Sequence, residues 1–476
     1  MQTLPRPVRW LVPSLPVVLG VALFLTLLAQ PWRTMMTLSD ADGLVWWETG
    51  NWMLDHGQII RADPFSHTRP GAPIITKEWL SNLVYAGAAN IWGLYGLALV
   101  AGLVIAGTFA LLLRQLLREN NEALTATLLT LLGVWVASMH FMARPHLFSF
   151  LFLLTAHAIL RHRQGHRLVL ELAGLTLLWV NFHGGFLMLF FLTGAYWLGA
   201  LLERDWARLR LLTVAGSVCA IVSFVNPNGW ALHRHTLEFL GSQYMTSWIV
   251  EFASPDFHAS GTRGLLVWFA LIAGTLAWLR PKLRAGEAVA LVVWTYFALH
   301  SRRNIPLLVI VTTPILAPSL SAWVRTRWPN RPPLPVTNGW LWVPITVAAA
   351  VVWPRPIDLR DSGWPVDAVA HVRQHPQQFA GPVFNQYMWG SYLVHALPTQ
   401  RVFIDSRQDF YGEALLREFD AVTGLRTNWS AVLDKYDVRW TLMPTEHRLN
   451  IALALQSNLW QRTYRDDIAT IFVKRQ

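Results

Sequence analysis

"KEWLSNLVYAGAANIW", residues 77–92, decides how the rest of the chain is threaded. After Glu78 the stretch is apolar, yet it is about five residues short of the roughly 20 that a helix needs to cross the hydrocarbon core. Read as a span, it would invert every later connection and put Arg114 and Arg118 outside. Read as a helix in the membrane interface, it leaves a consistent charge pattern. Arg6, Arg9, Arg114, Arg118, Arg161, Arg163, Arg167, Arg204, Arg208, Arg210, Arg280, Lys282, Arg284, Arg325, Arg327 and Arg331 then share one side. The positive-inside rule makes that side cytoplasmic, and the N-terminus with it.

With this threading, spans are expected near 10–29, 93–117, 122–141, 145–162, 168–183, 186–203, 209–226, 263–280, 286–300, 303–324 and 338–354. The fold class is an α-helical polytopic membrane protein with about 11 transmembrane helices. Composition agrees: of 476 residues, 53% are hydrophobic and 14% charged, against about 25% charged in soluble domains. Trp10 to Ala29 lacks a small-residue cleavage site and reads as an uncleaved span. The net charge of +11 reflects the cytoplasmic arginines, so no nucleic-acid partner is expected. Cys219 is the one cysteine, which excludes an intrachain disulfide and leaves the redox compartment open.

An odd number of spans places residues 355–476 outside. That tail reads as a small α/β domain, with strands in "PVFN", "RVFID", "VRWTLMP" and "IATIFVK" and helices near 389–397, 413–422, 429–436 and 447–457. The expected domains are a membrane domain, 1–354, with an outer loop at 30–92, and an extracytoplasmic domain, 355–476.

Unusual polar clusters then gather on the outer side: "SDAD" (39–42), "DPFS" (63–66), "KEW" (77–79), "MARPH" (142–146), "NFHGG" (181–185), "NPNGW" (226–230) and "HSRRN" (300–304). A helix over 42–55 puts Asp42, Trp46, Thr49 and Met53 on one face, which suits the interface, with Glu48, Asn51 and Asp55 roughly opposite. Asp42 then lies in the first turn, where the helix dipole favours an anion, and Asp40 suits the N-cap. Both acids read either as a helix start or as chemistry at the membrane edge; their spacing also allows a divalent metal, as do Glu78 and Asp63. Arg302 and Arg303 oppose the positive-inside bias and need an anionic partner or a wet cavity. Their forked guanidinium groups suit a phosphate, with snorkelling to headgroups as the plain alternative. Arg144 and His146 begin a span pointing its N-terminus outward. His183, beside Gly184 and Gly185, is a turn-capping histidine or a substrate contact.

The order of an acid after the first span, an amphipathic helix, then Gly71, Lys77, Trp79, Leu80 and Gly93 resembles the GT-C superfamily of membrane glycosyltransferases. The nearest branch is the protein O-mannosyltransferase and lipid A aminoarabinose transferase group, and the pattern "D…TG.W…HG.I..ADPFS.T..G.P…KEWL" is closer still to uncharacterised bacterial members. The chain departs from the better-known branch in having Gly43, not a second acid, after Asp42. In the tail, "NQYMWGSYL", "RVFIDSRQDFYG" and "LDKYDVRWTLM" are similar in order to the outer domain of oligosaccharyltransferase catalytic subunits, without its Trp-Trp-Asp-Tyr-Gly run.

The resemblance implies an enzyme of the bacterial inner membrane and cell envelope. It would use a sugar on a polyprenyl phosphate as donor, surrounded by membrane lipids, and a protein, lipid or glycan as acceptor. Asp42 would be the base. Arg302, Arg303, Arg144, His183 and His146 would bind donor phosphate, with Asp40, Glu78 and Asp63 as further acids or metal ligands. Tyr387, Trp389, Asp405 and Arg407 would lie on the acceptor side, where the alternative is a core Tyr387/Trp389 pair with a turn at Gly390. The one cofactor considered is a divalent metal, which these acids allow. The rival readings are a non-catalytic flippase or scaffold, and a polymerase or ligase of lipid-linked glycans.

Overall fold

The computed structural model describes residues 11–38, 41–329 and 339–475. Asp40, Arg6, Arg9 and Arg331 lie outside them. The described residues fall into two compact units. One takes the described parts of Met1–Arg33, Ala98–Trp230 and Ile249–Arg355; the other takes those of Thr34–Leu97, Ala231–Trp248 and Pro356–Gln476.

The first unit is a helical bundle. Among the described residues, five helices are long and apolar enough to cross a membrane: Leu94–Arg118, Ala123–His140, Gly184–Leu202, Ser260–Leu279 and Arg302–Arg327. They become six if the bent pair Leu15–Leu28 and Trp32–Leu38 counts as one. The other expected spans form the helices His146–His162, Gly165–Phe182, Trp206–Val222, Ala285–His300 and Trp342–Val352, which do not meet that test. Apolar helices of this length support a membrane location.

The helix Ile305–Arg327 is buried without a break from Ile305 to Ala317, as a helix apolar all round should be. It carries Pro314 and Pro318 inside. Pro318 has no N–H, so the Pro314 carbonyl loses its partner one turn on. Arg161 Nη1 donates to that carbonyl at 2.9 Å and lies 3.4 Å from Glu119, while Arg161 Nε lies 3.5 Å from Glu287. Elsewhere Gly199 and Gly286 bring two helices into backbone contact: a Cβ at Gly199 would stand 2.1 Å from the Gly286 nitrogen.

In the second unit a four-stranded sheet has the order β1-β2-β4-β3, with β1 Val383–Asn385, β2 Trp440–Pro444, β3 Trp460–Arg465 and β4 Ala469–Lys474. β1 and β2 are parallel; β2/β4 and β4/β3 are antiparallel. Phe384, Phe403, Leu416, Phe419, Met443 and Leu453 are among the core that fills one side. Three expected strands are present and one is not. "RVFID" joins no sheet because its backbone bonds go elsewhere. Asn385 Oδ1 accepts from Phe403 N at 2.9 Å and Asn385 Nδ2 donates to the Ile404 carbonyl at 2.8 Å. Val402 N donates to the Phe65 carbonyl, His67 N to the Val402 carbonyl, and Thr68 Oγ1 to the Phe403 carbonyl. A strand composition has been used to stitch 65–68 to 402–404. The unexpected strand, β3, buries Trp460 and exposes most of the rest, the polar profile of a protected edge.

The helices expected at 42–55 and 78–92 run over Asp42–His56 and Trp79–Trp92. The N-cap position of the first is Ala41, and the cap expected at Asp40 lies outside the described residues. One correction applies to its expected interfacial face: Thr49 and Met53 are buried and Asp42 and Trp46 half-buried, because Gly50 lets the helix close onto Ala86 and Asn82. A Cβ at Gly50 would lie 2.4 Å from Ala86 Cβ.

Since interiors are close-packed, Gly199→Ala should cost about 1–3 kcal/mol through overpacking, read as a lower thermal midpoint of the purified protein. Ala at Gly174, with open space around it, should leave the midpoint unchanged.

Candidate functional site

In the first unit three of the expected arginines meet at one short segment, Val250–Phe252. The turn Arg302–Asn304 is tied to the segment Val250–Phe252. Arg302 donates from Nε and Nη2 to the Val250 carbonyl, at 3.2 and 2.8 Å, and Ser301 Oγ donates to the Glu251 carbonyl at 2.8 Å. Arg303 lies over the Phe252 ring at 4.9 Å. Arg144 Nη1 pairs with Glu251 Oε1 at 2.7 Å. Burial alone would raise the Glu251 carboxyl, but Arg144, Arg303 and His140 hold it below its ordinary value. Behind the arginines, His146 Nε2 donates to the His140 carbonyl at 3.0 Å, and His140 Nε2 to the Arg302 carbonyl at 2.9 Å.

Glu251 and His140 are the residues that sequence reading missed. Glu251 stands in "SWIVEF" with apolar neighbours and no spacing relation to Arg144, 107 positions away. An acid inside an otherwise apolar loop was the available signal. His183 is buried at its turn, where Nδ1 accepts from Gly185 N at 3.0 Å and Ser149 Oγ at 2.7 Å. That is the turn-capping role.

In the second unit Asp42 is the first residue of its helix and half-buried, where the dipole favours its charge. Glu78 occupies the N-cap position of Trp79–Trp92, 8% exposed, with no side-chain capping bond. Asp63 is wholly buried. It accepts from Ser66 N and Oγ, and its Oδ1 lies 2.8 Å from Arg407 Nη1. Arg407 also reaches Asp405 through Nε at 2.9 Å and Nη2 at 2.6 Å, while Tyr411 donates to Asp405 at 2.7 Å. Burial would lower Arg407, yet Asp405, Tyr411 and Asp63 keep it well above its usual value. The rings of Phe65 and Phe410 cover it at 5.0 and 5.2 Å. Tyr387 donates to the Ser406 carbonyl at 3.0 Å, and Trp389 is 8% exposed, with its amide capped by Gln386.

Lys77, one of the residues that carried the resemblance, pairs with Asp409 at 2.6 Å, and His235 Nε2 lies 2.9 Å from the same oxygen. Burial would raise Asp409, but Lys77 and His235 hold it well below the carboxylate range. Among the described residues no three His, Cys, Asp or Glu side chains gather as a metal site, so Glu78 and Asp63 have no observed metal-binding company.

Two solved structures can now be set beside this arrangement. One is the archaeal oligosaccharyltransferase AglB from Archaeoglobus fulgidus in complex with an inhibitory peptide and a dolichol-phosphate. It matches with a TM-score of 0.59 and 11% identity, over 97% of this chain and 74% of that one. The other is the Archaeoglobus fulgidus oligosaccharyltransferase in complex with Zn and sulfate, at 0.59 and 14%, over 97% and 73%. The chain shares the fold of these oligosaccharyltransferases. It is thus a GT-C-like fold, and the likeness is one of fold alone. No protein-family model and no curated protein matches the sequence.

Removing Arg407 would strand two buried carboxylates, so Arg407→Ala should cost about 3–5 kcal/mol, measured by chemical or thermal unfolding. The Asp409 pairing has a definite pH sign. Its folded value is depressed, so it stabilises fully above the ordinary carboxylate value of about 3.9 and is lost as pH falls through the depressed value. Asp409→Asn should flatten the acid side of the stability profile below about pH 4, as melting curves from neutral to acid pH would show.

Proposed function

We propose that this chain is a membrane glycosyltransferase that moves a glycan from a polyprenyl-phosphate-linked donor to an acceptor on the extracytoplasmic face. The observation that carries this is the fold match over 97% of the chain to an enzyme solved with a dolichol-phosphate and an inhibitory peptide. The proposal includes the threading above: about eleven spans within 1–354, a cytoplasmic N-terminus, residues 355–476 outside, and a bacterial inner membrane.

Asp42 is assigned as the general base. It takes the proton of the acceptor's nucleophile as that atom bonds to the anomeric carbon, and the bond from that carbon to the phosphate oxygen breaks with inversion. Arg302, Arg303 and Arg144 are assigned to the leaving phosphate, whose growing charge they would stabilise in a dry setting. His146, through His140, orients Arg302; His183 shapes its turn. Tyr387, Trp389, Asp405 and Arg407 act on the acceptor side through the surface they hold in place, since Asp405 and Arg407 are occupied with each other and with Asp63. A peptide acceptor is favoured over a lipid or glycan by the inhibitory peptide of the neighbour. No step here is routed through a metal.

Cells lacking the protein, complemented with wild type or Asp42→Asn at matched expression, test this by mass spectrometry of envelope glycans and lipid-linked sugars. The expected result is a missing product and an accumulated donor, restored by wild type and reduced by about 10²-fold or more with Asp42→Asn. Equal restoration by both would remove Asp42 from the chemistry and turn the reading towards a flippase or scaffold.

A further inference from the structure

The helix Asp42–His56 is gripped at one level. Trp47 Nε1 donates to Asn90 Oδ1 at 2.7 Å on the helix Trp79–Trp92. The next residue, Glu48, meets His395 Nδ1 at 2.7 Å on the helix Tyr387–Ala396. The His395 ring also stands against Trp47, with ring centroids 4.5 Å apart. Asn51, about one turn on, donates from Nδ2 to the same Glu48 oxygen at 3.4 Å. The Glu48 and His395 side chains are 19% and 27% exposed, so the pair is sheltered enough to outweigh an ordinary surface ion pair.

Glu48 lies six residues after Asp42, about 9 Å along the helix axis. A rigid helix transmits a tilt or rotation at Glu48 directly to its first turn. A base must stand within hydrogen-bond reach of the proton it takes, and a misplacement of about 1 Å can cost 10²-fold. From these contacts we infer that His395 is a positioning residue: the C-terminal segment sets the orientation of Asp42 by holding Glu48, with Trp47 as the second point of the grip. This rests on the reading of Asp42 as base and gives the tail a task in the reaction beyond carrying the acceptor side.

The test uses the full-length protein in nanodiscs for hydrogen exchange and the complemented cells for product. His395→Ala should raise exchange in 42–56, leave β1 and β4 protected, and lower product about tenfold or more. His395→Gln, which can still hydrogen-bond Glu48, should restore most of both. Glu48→Gln combined with His395→Ala should be no worse than His395→Ala alone, because the two act as one contact. Unchanged exchange in 42–56 with unchanged product would overturn the inference. So would equal loss of protection in β1 and β4, which would make His395 a general fold-holder. Asp42→Asn run alongside separates the two readings. If it keeps full product while His395→Ala still loosens 42–56, the base assignment fails and the grip stands as structure alone.

Discussion

The second unit depends on a single buried guanidinium. Arg407 lies between Asp63 and Asp405 with its side chain 10% exposed and both carboxylates at 0%. Charges so deep are stable only when each is paired and hydrogen-bonded. Tyr411 and Ser66 donate to the two carboxylates, and the Phe65 and Phe410 rings cover the guanidinium. The constraint falls on the order of assembly. Asp63 and Arg407 are 407 − 63 = 344 positions apart in a chain of 476, so the segment holding Asp63 cannot complete its interior until the tail exists. The same holds for Lys77 with Asp409, Arg69 with the Phe410 and Tyr411 carbonyls, and Glu48 with His395. Contacts of such separation close late and slowly. The tail is therefore an interior component of this unit, not an appendage to it.

That dependence explains which parts were legible in the sequence. Helices announce themselves through local periodicity and length, so the helices at Asp42–His56, Trp79–Trp92 and Leu94–Arg118 were found within a residue or two. The gathering of Arg144, Arg302 and Arg303 followed from topology, because each sits at the end of an apolar run. Glu251, the acid that Arg144 and Arg303 act on, did not, since nothing local marks an acid that will be used far away. "RVFID" misled for a related reason. Its composition is right for a buried extended segment, and it is buried and extended in part. The Asn385 amide and the 65–68 backbone, not a neighbouring strand, take its hydrogen bonds. The interfacial face assigned to Asp42–His56 failed because aromatic content says that a face is apolar, not whether lipid or protein covers it.

The site residues divide by the same criterion. Asp63, Asp405 and Arg407 are charged and occur in motifs that suggested ligand binding, yet they pair with one another inside the fold. A charge already paired within the fold has less to offer a substrate. The arginines around Glu251 differ in kind. Arg144 and Arg303 act on the Glu251 carboxylate, while two of the three are oriented by contacts other than carboxylates: Arg302 by the neighbouring Val250 carbonyl and Arg303 by an aromatic face. Preorganised positive charge of this sort costs little to reorient when negative charge develops nearby.

Glu251 sharpens the point. A carboxylate held below its ordinary value by Arg144, Arg303 and His140 stays ionised over the whole physiological range, so it fixes Arg144 without competing for protons. It also sits on the segment Val250–Phe252, whose backbone carbonyls take the hydrogen bonds of Ser301 and Arg302. Orientation of the arginine turn and placement of its counter-charge are thus one event. A change in this segment would move the positive charges and their partner together, and the electrostatic character of the cluster would survive small backbone shifts that would ruin a site built from separately anchored side chains. Such tolerance suits recognition of a phosphate, which asks for positive potential and several donors. It suits a general base far less, since proton transfer asks for one atom at one distance. With Asp42 as the proposed base, the contacts of Trp47 and Glu48 on its helix would serve that stricter demand.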